Sequence, residues 1–375
     1  MTRTEVVTKA IEGKIRWIDA ANILGVSARQ VLRLKRAVER NGIEYFMTVR
    51  GKARRRRIAL RTFEELKRLK REQYEDFSVR HFYEQATEKH GLKLSYGTCL
   101  RALQEAGLAE KLSKRGTYRR KRERRAMSGM MLHIDASTHA WMGGELPSDL
   151  VVVLDDADGK ILYAQLHEQE GTRSTLHALE HVLKKRGRFA ELYHDRGTHY
   201  GKASANQTDD PSGQVQRVCA ALGIRQIFSR SPEARGRSER CFGTLQGRLP
   251  QELRVHDIRT TEAANRYLRD HFIDDFNRRF SVKPKQKESA FVAMVGLDME
   301  LLVSEQHQRT VGHDNTIHFQ GTLLQLESSK NRASYARCKV KVHQLLNGTL
   351  AVTFSGKCIA RFNSDGQMEK KRRAA

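Results

Sequence analysis

The chain has 375 residues, 39% of them hydrophobic, and carries 69 Lys and Arg against 44 Asp and Glu, a formal charge of +25. The length predicts roughly two to four domains, and so large a positive excess opposes a compact state unless a polyanion neutralises it, which makes nucleic acid the first partner to consider. A membrane partner is disfavoured: the longest apolar run, Leu150 to Leu154, is far short of a bilayer span, and the opening MTRTEVVTKA has no apolar signal region, so a cytoplasmic, nucleoid-associated location is expected.

Residues 1–58 read as a small helical domain. In WIDAANILGVSARQVLRLKRAVERN, Ala20, Ala21, Ile23 and Leu24 give a first helix an apolar face, and Gly25 makes the turn. Ser27 is placed to N-cap a second helix bearing Val31, Leu32, Leu34 and Val38. This is a helix-turn-helix pattern, whose second helix would present Arg29, Gln30, Arg33 and Arg36 to a major groove. A plain surface hairpin is the competing reading.

Residues 59–126 repeat the idea and add a basic arm. One helix ends near His90 and Gly91, and a second starts at Ser95, with Tyr96, Thr98 and Arg101 as candidate DNA contacts. KLSKRGTYRRKRERR follows, and its self-repulsion predicts an extended linker whose Arg119, Arg120, Lys121 and Arg122 track phosphates.

Residues 127–290 change character. Strands are expected at Met130 to Ala136, Leu150 to Leu154 and Ile161 to His167, then a helix over Thr172 to Arg186 and a strand around Leu192. A helix near Gln214 to Leu222 leads to a strand at Ile224 to Phe228. Ser231 opens a further long helix, and another spans about Thr261 to Arg279. The first three strands can pair as a meander, and the later ones need parallel crossovers. Residues 300–375 read as a small antiparallel β-barrel with strands at Thr316 to Phe319, Cys338 to Gln344, Leu350 to Phe354 and Cys358 to Phe362. Asn347-Gly348 is its hairpin turn signal. Its basic residues, Lys330, Arg332, Arg337, Lys339 and Lys341, allow a DNA-contacting role or a packing one.

Three acids stand where chemistry needs them. Asp135 falls on the first core strand, Asp195 at the end of the fourth, and Glu239 two turns into the helix opened by Ser231. Carboxylates so gathered repel one another unless a divalent cation neutralises them, and their hard oxygens suit Mg2+ or Mn2+. Two ions about 4 Å apart would activate the attacking oxygen and stabilise the leaving one in a phosphoryl displacement.

These residues resemble the retroviral-integrase superfamily, and especially the integrase-core transposases of bacterial insertion sequences. The matching pieces are Ile134-Asp135, His194-Asp195-Arg196-Gly197 followed by Tyr200, and the Ser231-Pro232 to Gly236 to Glu239 pattern running into GRSERCFGTLQGRLPQEL. The resemblance implies an RNase H-like core preceded by helix-turn-helix domains. It also implies a catalytic and metal-binding triad of Asp135, Asp195 and Glu239 with two ions per site, and cleavage and strand transfer at the ends of a transposon. Double-stranded DNA and a homo-oligomer assembled on it are the expected partners. Asp195 and Glu239 have 43 residues between them, more than the superfamily usually shows. The polar segment Lys202 to Gly213 would absorb the excess as a surface loop. Glu233 fits the shorter spacing better, but an acid in the first turn after Ser231 has an ordinary explanation in the helix dipole. Arg235, Gly243 and Gln246 share a helix face with Glu239, flanked by Arg237 and Arg240, so side chains there would touch the DNA end; a solvated basic surface is the alternative.

Other signals are set aside. The five cysteines, Cys99, Cys219, Cys241, Cys338 and Cys358, form no CxxC pair, so neither a zinc ribbon nor a disulfide framework is expected. His177-Ala178-Leu179-Glu180-His181 matches an inverted zinc-protease motif, but its histidines read as the solvent side of an amphipathic helix. Asp155-Asp156-Ala157-Asp158-Gly159 is too short for a calcium loop and reads as a hairpin turn. Asp274 to Arg279 resembles a recurring family segment without assigned chemistry. The enzyme reading competes with a transposase-derived DNA-binding repressor, which needs no triad, and with a nuclease of the same fold that performs no strand transfer.

Overall fold

The computed structural model describes residues 3–42, 58–110, 122–144, 146–201, 213–229, 235–328 and 332–369. Met131–His139 (β1), Ser148–Asp155 (β2), Ile161–His167 (β3), Glu191–His194 (β4) and Arg225–Phe228 (β5) form one sheet in the order β3-β2-β1-β4-β5. The first three strands pair antiparallel, while β1–β4 and β4–β5 pair parallel. This is the expected meander followed by crossovers, because a parallel neighbour cannot be reached through a tight turn. Thr172–Arg186 (α7) and Gln214–Leu222 (α8) make the crossovers.

Both faces of the sheet are covered, which explains why β2 reads as an unbroken apolar run. Val151 and Val153 point to the layer of Leu176, Leu179 and Val218. Leu150, Val152 and Leu154 point to the opposite layer, formed by Gly236–Gln246 (α9), Leu249–Val255 (α10) and the helices that follow. Thr261–Tyr267 (α11), a π-helical turn at Leu268–Phe272 and Ile273–Phe280 (α12) run on from one another beside the edge strand β3. Asn265 accepts from the Leu166 N–H at 2.7 Å and donates to its carbonyl at 3.0 Å. Asn277 does the same to Ile161, at 2.7 and 2.9 Å. Two amide side chains thus occupy backbone groups that an exposed edge would offer to another chain. This gives the Asp274 to Arg279 segment a role that its residue types did not disclose.

The N-terminal part is helical as expected. Arg3–Ile11 (α1), Trp17–Leu24 (α2) and Ala28–Asn41 (α3) surround a core of Val6, Ala10 and Ala20. Gly25 takes the left-handed conformation that ends α2, and Ser27 caps α3. The second unit, Leu60–Glu72 (α4), Val79–Glu88 (α5) and Tyr96–Glu105 (α6), packs around Leu66, Leu69, Phe82 and Leu103, with Ser95 as the N-cap of α6.

This second unit is docked on the core. Arg248 donates to Glu84 at 2.7 Å, Arg279 reaches Glu88 at 2.9 Å and Glu84 at 3.3 Å, and the buried His81 ring lies 2.8 Å from Glu252. Tyr267 donates to the other Glu252 oxygen at 2.6 Å. Buried charges are tolerated when each is paired and hydrogen-bonded, and removing one partner is expensive. Arg248→Ala is therefore expected to cost about 3 kcal/mol, read as a fall in the thermal unfolding midpoint. A midpoint that moves by no more than about a degree would mean that Arg279 and Arg80, which donates to Glu84 at 3.0 Å, suffice to neutralise it.

The C-terminal region departs from expectation. Glu305–Thr310 (β6), Lys339–Gln344 (β9), Leu350–Phe354 (β10) and Lys357–Phe362 (β11) make a four-stranded sheet in the order β11-β10-β9-β6, while Thr316–Phe319 (β7) and Thr322–Gln325 (β8) form a separate ribbon. No closed barrel exists among the described residues, since β6 and β11 do not pair. The ribbon instead contributes Ile317, Phe319 and Leu324 to the apolar cluster of the sheet, so burial is achieved without closure. Asn347 and Gly348 do turn β9 into β10, with Gly348 at φ +89°.

His343 on β9 is buried, with Nδ1 2.9 Å from the Ser304 hydroxyl and Nε2 2.9 Å from that of Thr353. Burial lowers its pKa to about 4. A histidine depressed on folding contributes stability above its unfolded value, and that contribution is lost as pH falls toward the folded one. The unfolding midpoint should drop between about pH 6.5 and 4, and His343→Gln should flatten that drop. An unchanged slope would assign the acid sensitivity elsewhere.

Candidate active site

Asp135 lies on β1, where parallel pairing places Met131 to His133 beside Glu191 to Tyr193 of β4. Asp195 follows β4 directly, so the two carboxylates leave neighbouring strands at the same sheet end. Asp195 accepts the Gly197 N–H at 2.8 Å, closing a tight turn. A Cβ at Gly197 would stand 2.8 Å from the His199 ring and 3.0 Å from the Asp195 carboxylate, so a larger residue there would have to displace the His199 side chain. Behind it, His194 stacks on Tyr200 with ring centroids 4.1 Å apart, and burial lowers its pKa to about 4.

Arg235 joins the two acids. Its guanidinium pairs with Asp135 and, at 3.3 Å, with Asp195. Burial raises the Asp135 pKa; the pairing with Arg235 and the Ser238 hydroxyl oppose that rise without cancelling it. The sequence placed Arg235 on the DNA-facing side of the helix; it instead turns into the acids from the residue preceding α9. Glu170 is a fourth carboxylate nearby that sequence reasoning missed. Its Oε1 accepts from Tyr200 at 3.2 Å and lies 3.4 Å from His199, and its charge helps to raise Asp135. Glu170 sits in a loop without periodicity, so no sequence signal marked it.

Glu239 is on α9, the helix that covers β1, where Gln246 donates to the Ser137 hydroxyl at 3.0 Å. The helix begins at Gly236 in the described residues, so Glu239 sits in its first turn and not two turns in; Ser231 to Ala234, and with them Glu233, lie outside those residues. Glu239 is exposed, and no group of three potential ligands converges among the described residues. The structure thus brings Asp135 and Asp195 together and leaves Glu239 on the adjoining helix. The two acids fit a hard cation by their chemistry, since one cationic group already bridges them.

No family model matches the chain. Over 366 residues it is 29% identical to y4bF of Sinorhizobium fredii, a protein named as a transposase, covering 95% of this chain and 79% of that one. Over 400 aligned positions it is 29% identical to the transposase for insertion sequence IS1202 of Streptococcus pneumoniae, covering 95% of this chain and 84% of that one. The chain is a relative of insertion-sequence transposases. Among solved structures it resembles a chain of the simian T-cell lymphotropic virus intasome in complex with a PP2A regulatory subunit, at TM-score 0.35 and 14% identity, over 76% of this chain and 93% of that one. It also resembles the HTLV-2 integrase catalytic core domain in complex with magnesium, at TM-score 0.30 and 16% identity, over 38% of this chain and 85% of that one.

The remaining residues expected to contact DNA in this transposase relative divide by their surroundings. Arg29, Arg33, Arg36, Arg101 and Arg240 are exposed. Gln30 is exposed too, but its side chain accepts the Ser27 N–H at 3.0 Å in the cap of α3. Tyr96 packs edge-on against Tyr83, and Thr98 bonds Ser95 at 2.9 Å. Gln246 is spent on Ser137. Arg122 and Arg237 both bind the buried Asp156, so the described end of the basic arm is fastened to the core and is not a free linker. Arg119, Arg120 and Lys121 lie outside the described residues, as do Lys202 to Ser212 and Lys330. His177 and His181 are half-buried, their rings near His167 and Tyr163, and do not form the solvent face expected. Asp155 to Gly159 is the β2–β3 turn, as expected.

Proposed function

We propose that the chain is a DNA transposase whose RNase H-like core holds divalent metal, Mg2+ or Mn2+ and two ions per site, through Asp135, Asp195 and Glu239. The observation that carries this reading is the meeting of Asp135 and Asp195, from adjacent parallel strands, on one cationic group beside the helix that bears Glu239. Metal so held would activate the attacking oxygen and stabilise the leaving one. The chain's own part is to hold two carboxylates fixed, Asp135 by its buried strand and Asp195 by the Gly197 turn. In the cleavage step a water oxygen forms a bond to phosphorus as the bridging P–O bond breaks, and the departing 3′ oxygen takes up a proton. In the joining step that 3′-hydroxyl attacks target DNA and displaces another 3′ oxygen. No covalent bond to the protein is needed.

Double-stranded DNA, both element ends and target, is the proposed partner. The two N-terminal helical units would read the ends as helix-turn-helix modules, α3 supplying Arg29, Arg33 and Arg36 and α6 supplying Arg101. Protomers would assemble on paired ends, because the like charges of free protomers repel and DNA screens them. No described helix is long and apolar enough to cross a membrane.

The test is a joining assay with purified protein, duplexes of the element's terminal sequence, a supercoiled target and Mg2+ or Mn2+. Covalently joined donor and target DNA is expected. End binding without cleavage would support the repressor, and cleavage without joining the nuclease.

A further inference from the structure

We propose that Asp156, in the turn between β2 and β3, is a positioning residue that ties the basic arm to the helix bearing Glu239, so that DNA seated on the arm orders that helix. Its side chain is fully buried, yet four groups from three separate segments converge on it. The arm supplies the Arg122 guanidinium and the Arg125 N–H, the latter at 2.7 Å. Strand β1 supplies His133 Nε2 at 2.7 Å. The first turn of α9 supplies the Arg237 guanidinium, which also donates to the Arg122 carbonyl at 2.7 Å. Arg124 adds a bond to the Asp156 carbonyl at 3.1 Å.

The placement of these partners suggests more than a fold staple. His133 stands two residues from Asp135, and Arg237 two residues from Glu239, so one carboxylate is a short step from two of the three proposed acids. An ionised carboxylate offers about four acceptor sites, and arm, strand and helix share them. A buried carboxylate left partly unpaired is costly, so the arm and the helix start are held in one arrangement. The Arg122 side chain is still 47% exposed, which lets the same group that grips Asp156 meet a phosphate from outside. Asp156 is not needed to pair β2 with β3, whose register runs from Asp149–His167 to Leu154–Ile161 without it.

The inference rests on the transposase reading, and its test separates the two. Asp156→Asn and Arg237→Gln are compared with wild type in the full chain, by hydrogen exchange of residues 236–242 with and without end duplex, by end affinity, and by joining rate at saturating duplex. In wild type, the duplex should raise protection of that helix start. In the variants, affinity should stay within about threefold of wild type, while the added protection disappears and joining at saturation falls on the order of a hundredfold. Arg237→Lys should recover part of both. If Asp156→Asn fails to fold, Arg237→Gln carries the comparison alone. A folded variant that keeps the duplex-induced protection, or whose joining falls only as far as its affinity, overturns the proposal. A wild-type protein that gains protection but joins no DNA would refute the transposase reading and leave the role of Asp156 standing.

Discussion

Asp135→Asn, Asp195→Asn and Glu239→Gln are each expected to lower strand joining by about a thousandfold or more, the effect of losing roughly 4 kcal/mol of metal stabilisation, while end binding persists. The three should differ in stability. Burial raises the Asp135 pKa and the pairing with Arg235 only opposes that rise, so ionising this carboxyl costs more in the folded chain than in the unfolded one. A carboxyl raised on folding loses stability as pH climbs through its folded pKa, so at neutral pH an isosteric amide should not lower the unfolding midpoint of Asp135→Asn. Glu239 carries the sharpest test. The helix-dipole argument that made Glu233 an ordinary first-turn acid now applies to Glu239, which sits in the described first turn of α9. Parallel joining assays of Glu233→Gln and Glu239→Gln decide between them. An active Glu239→Gln beside an inactive Glu233→Gln would move the third position of the triad.

The elements were legible where one physical signal dominated. Ile161 to His167, Thr172 to Arg186 and Gln214 to Leu222 fall where the sequence put them, because their apolar periods are unbroken and glycines bound both helices. Ser27 was readable as a cap, and Ser95 as a helix start, because the residue types that open helices are few. The barrel was misread for a related reason. Alternation marks strands and the faces they bury, but nothing in Thr316 to Gln325 says whether that hairpin joins a sheet or lies across it. At the site, Asp135 and Asp195 carried strong local patterns. What they bind did not. Arg235 and Gln246 read as DNA-facing by helical spacing, with Arg237 flanking them, yet Arg235 precedes the helix and turns into the acids, Arg237 reaches a carboxylate more than eighty positions away, and Gln246 meets β1. Spacing along one helix fixes which side chains share a face, and only the packed neighbours decide whether that face meets solvent or protein.

Arg235→Gln is expected to tighten divalent-metal binding while making the metal-free protein less stable. The guanidinium pairs with both Asp135 and Asp195, so it and the proposed metal ion would compete for the same oxygens. Seating a metal therefore requires Arg235 to move, and part of the binding free energy goes into breaking two ion pairs. Removing the guanidinium abolishes that penalty but leaves two carboxylates facing each other without a counter-charge, which opposes folding when no metal is present. Calorimetric titration with Mn2+ should show a gain on the order of tenfold, equivalent to about 1.4 kcal/mol. The unfolding midpoint in chelator should fall, and the midpoint in Mn2+ should recover more than it does in wild type, because a ligand that binds only the folded state stabilises in proportion to its affinity. Arg235→Lys separates charge from geometry: an ammonium neutralises the pair but cannot span both acids as a planar fork does, so its metal affinity should fall between wild type and the glutamine variant. Weaker Mn2+ binding in Arg235→Gln would mean that the arginine supports the carboxylates for the metal and does not stand in its place.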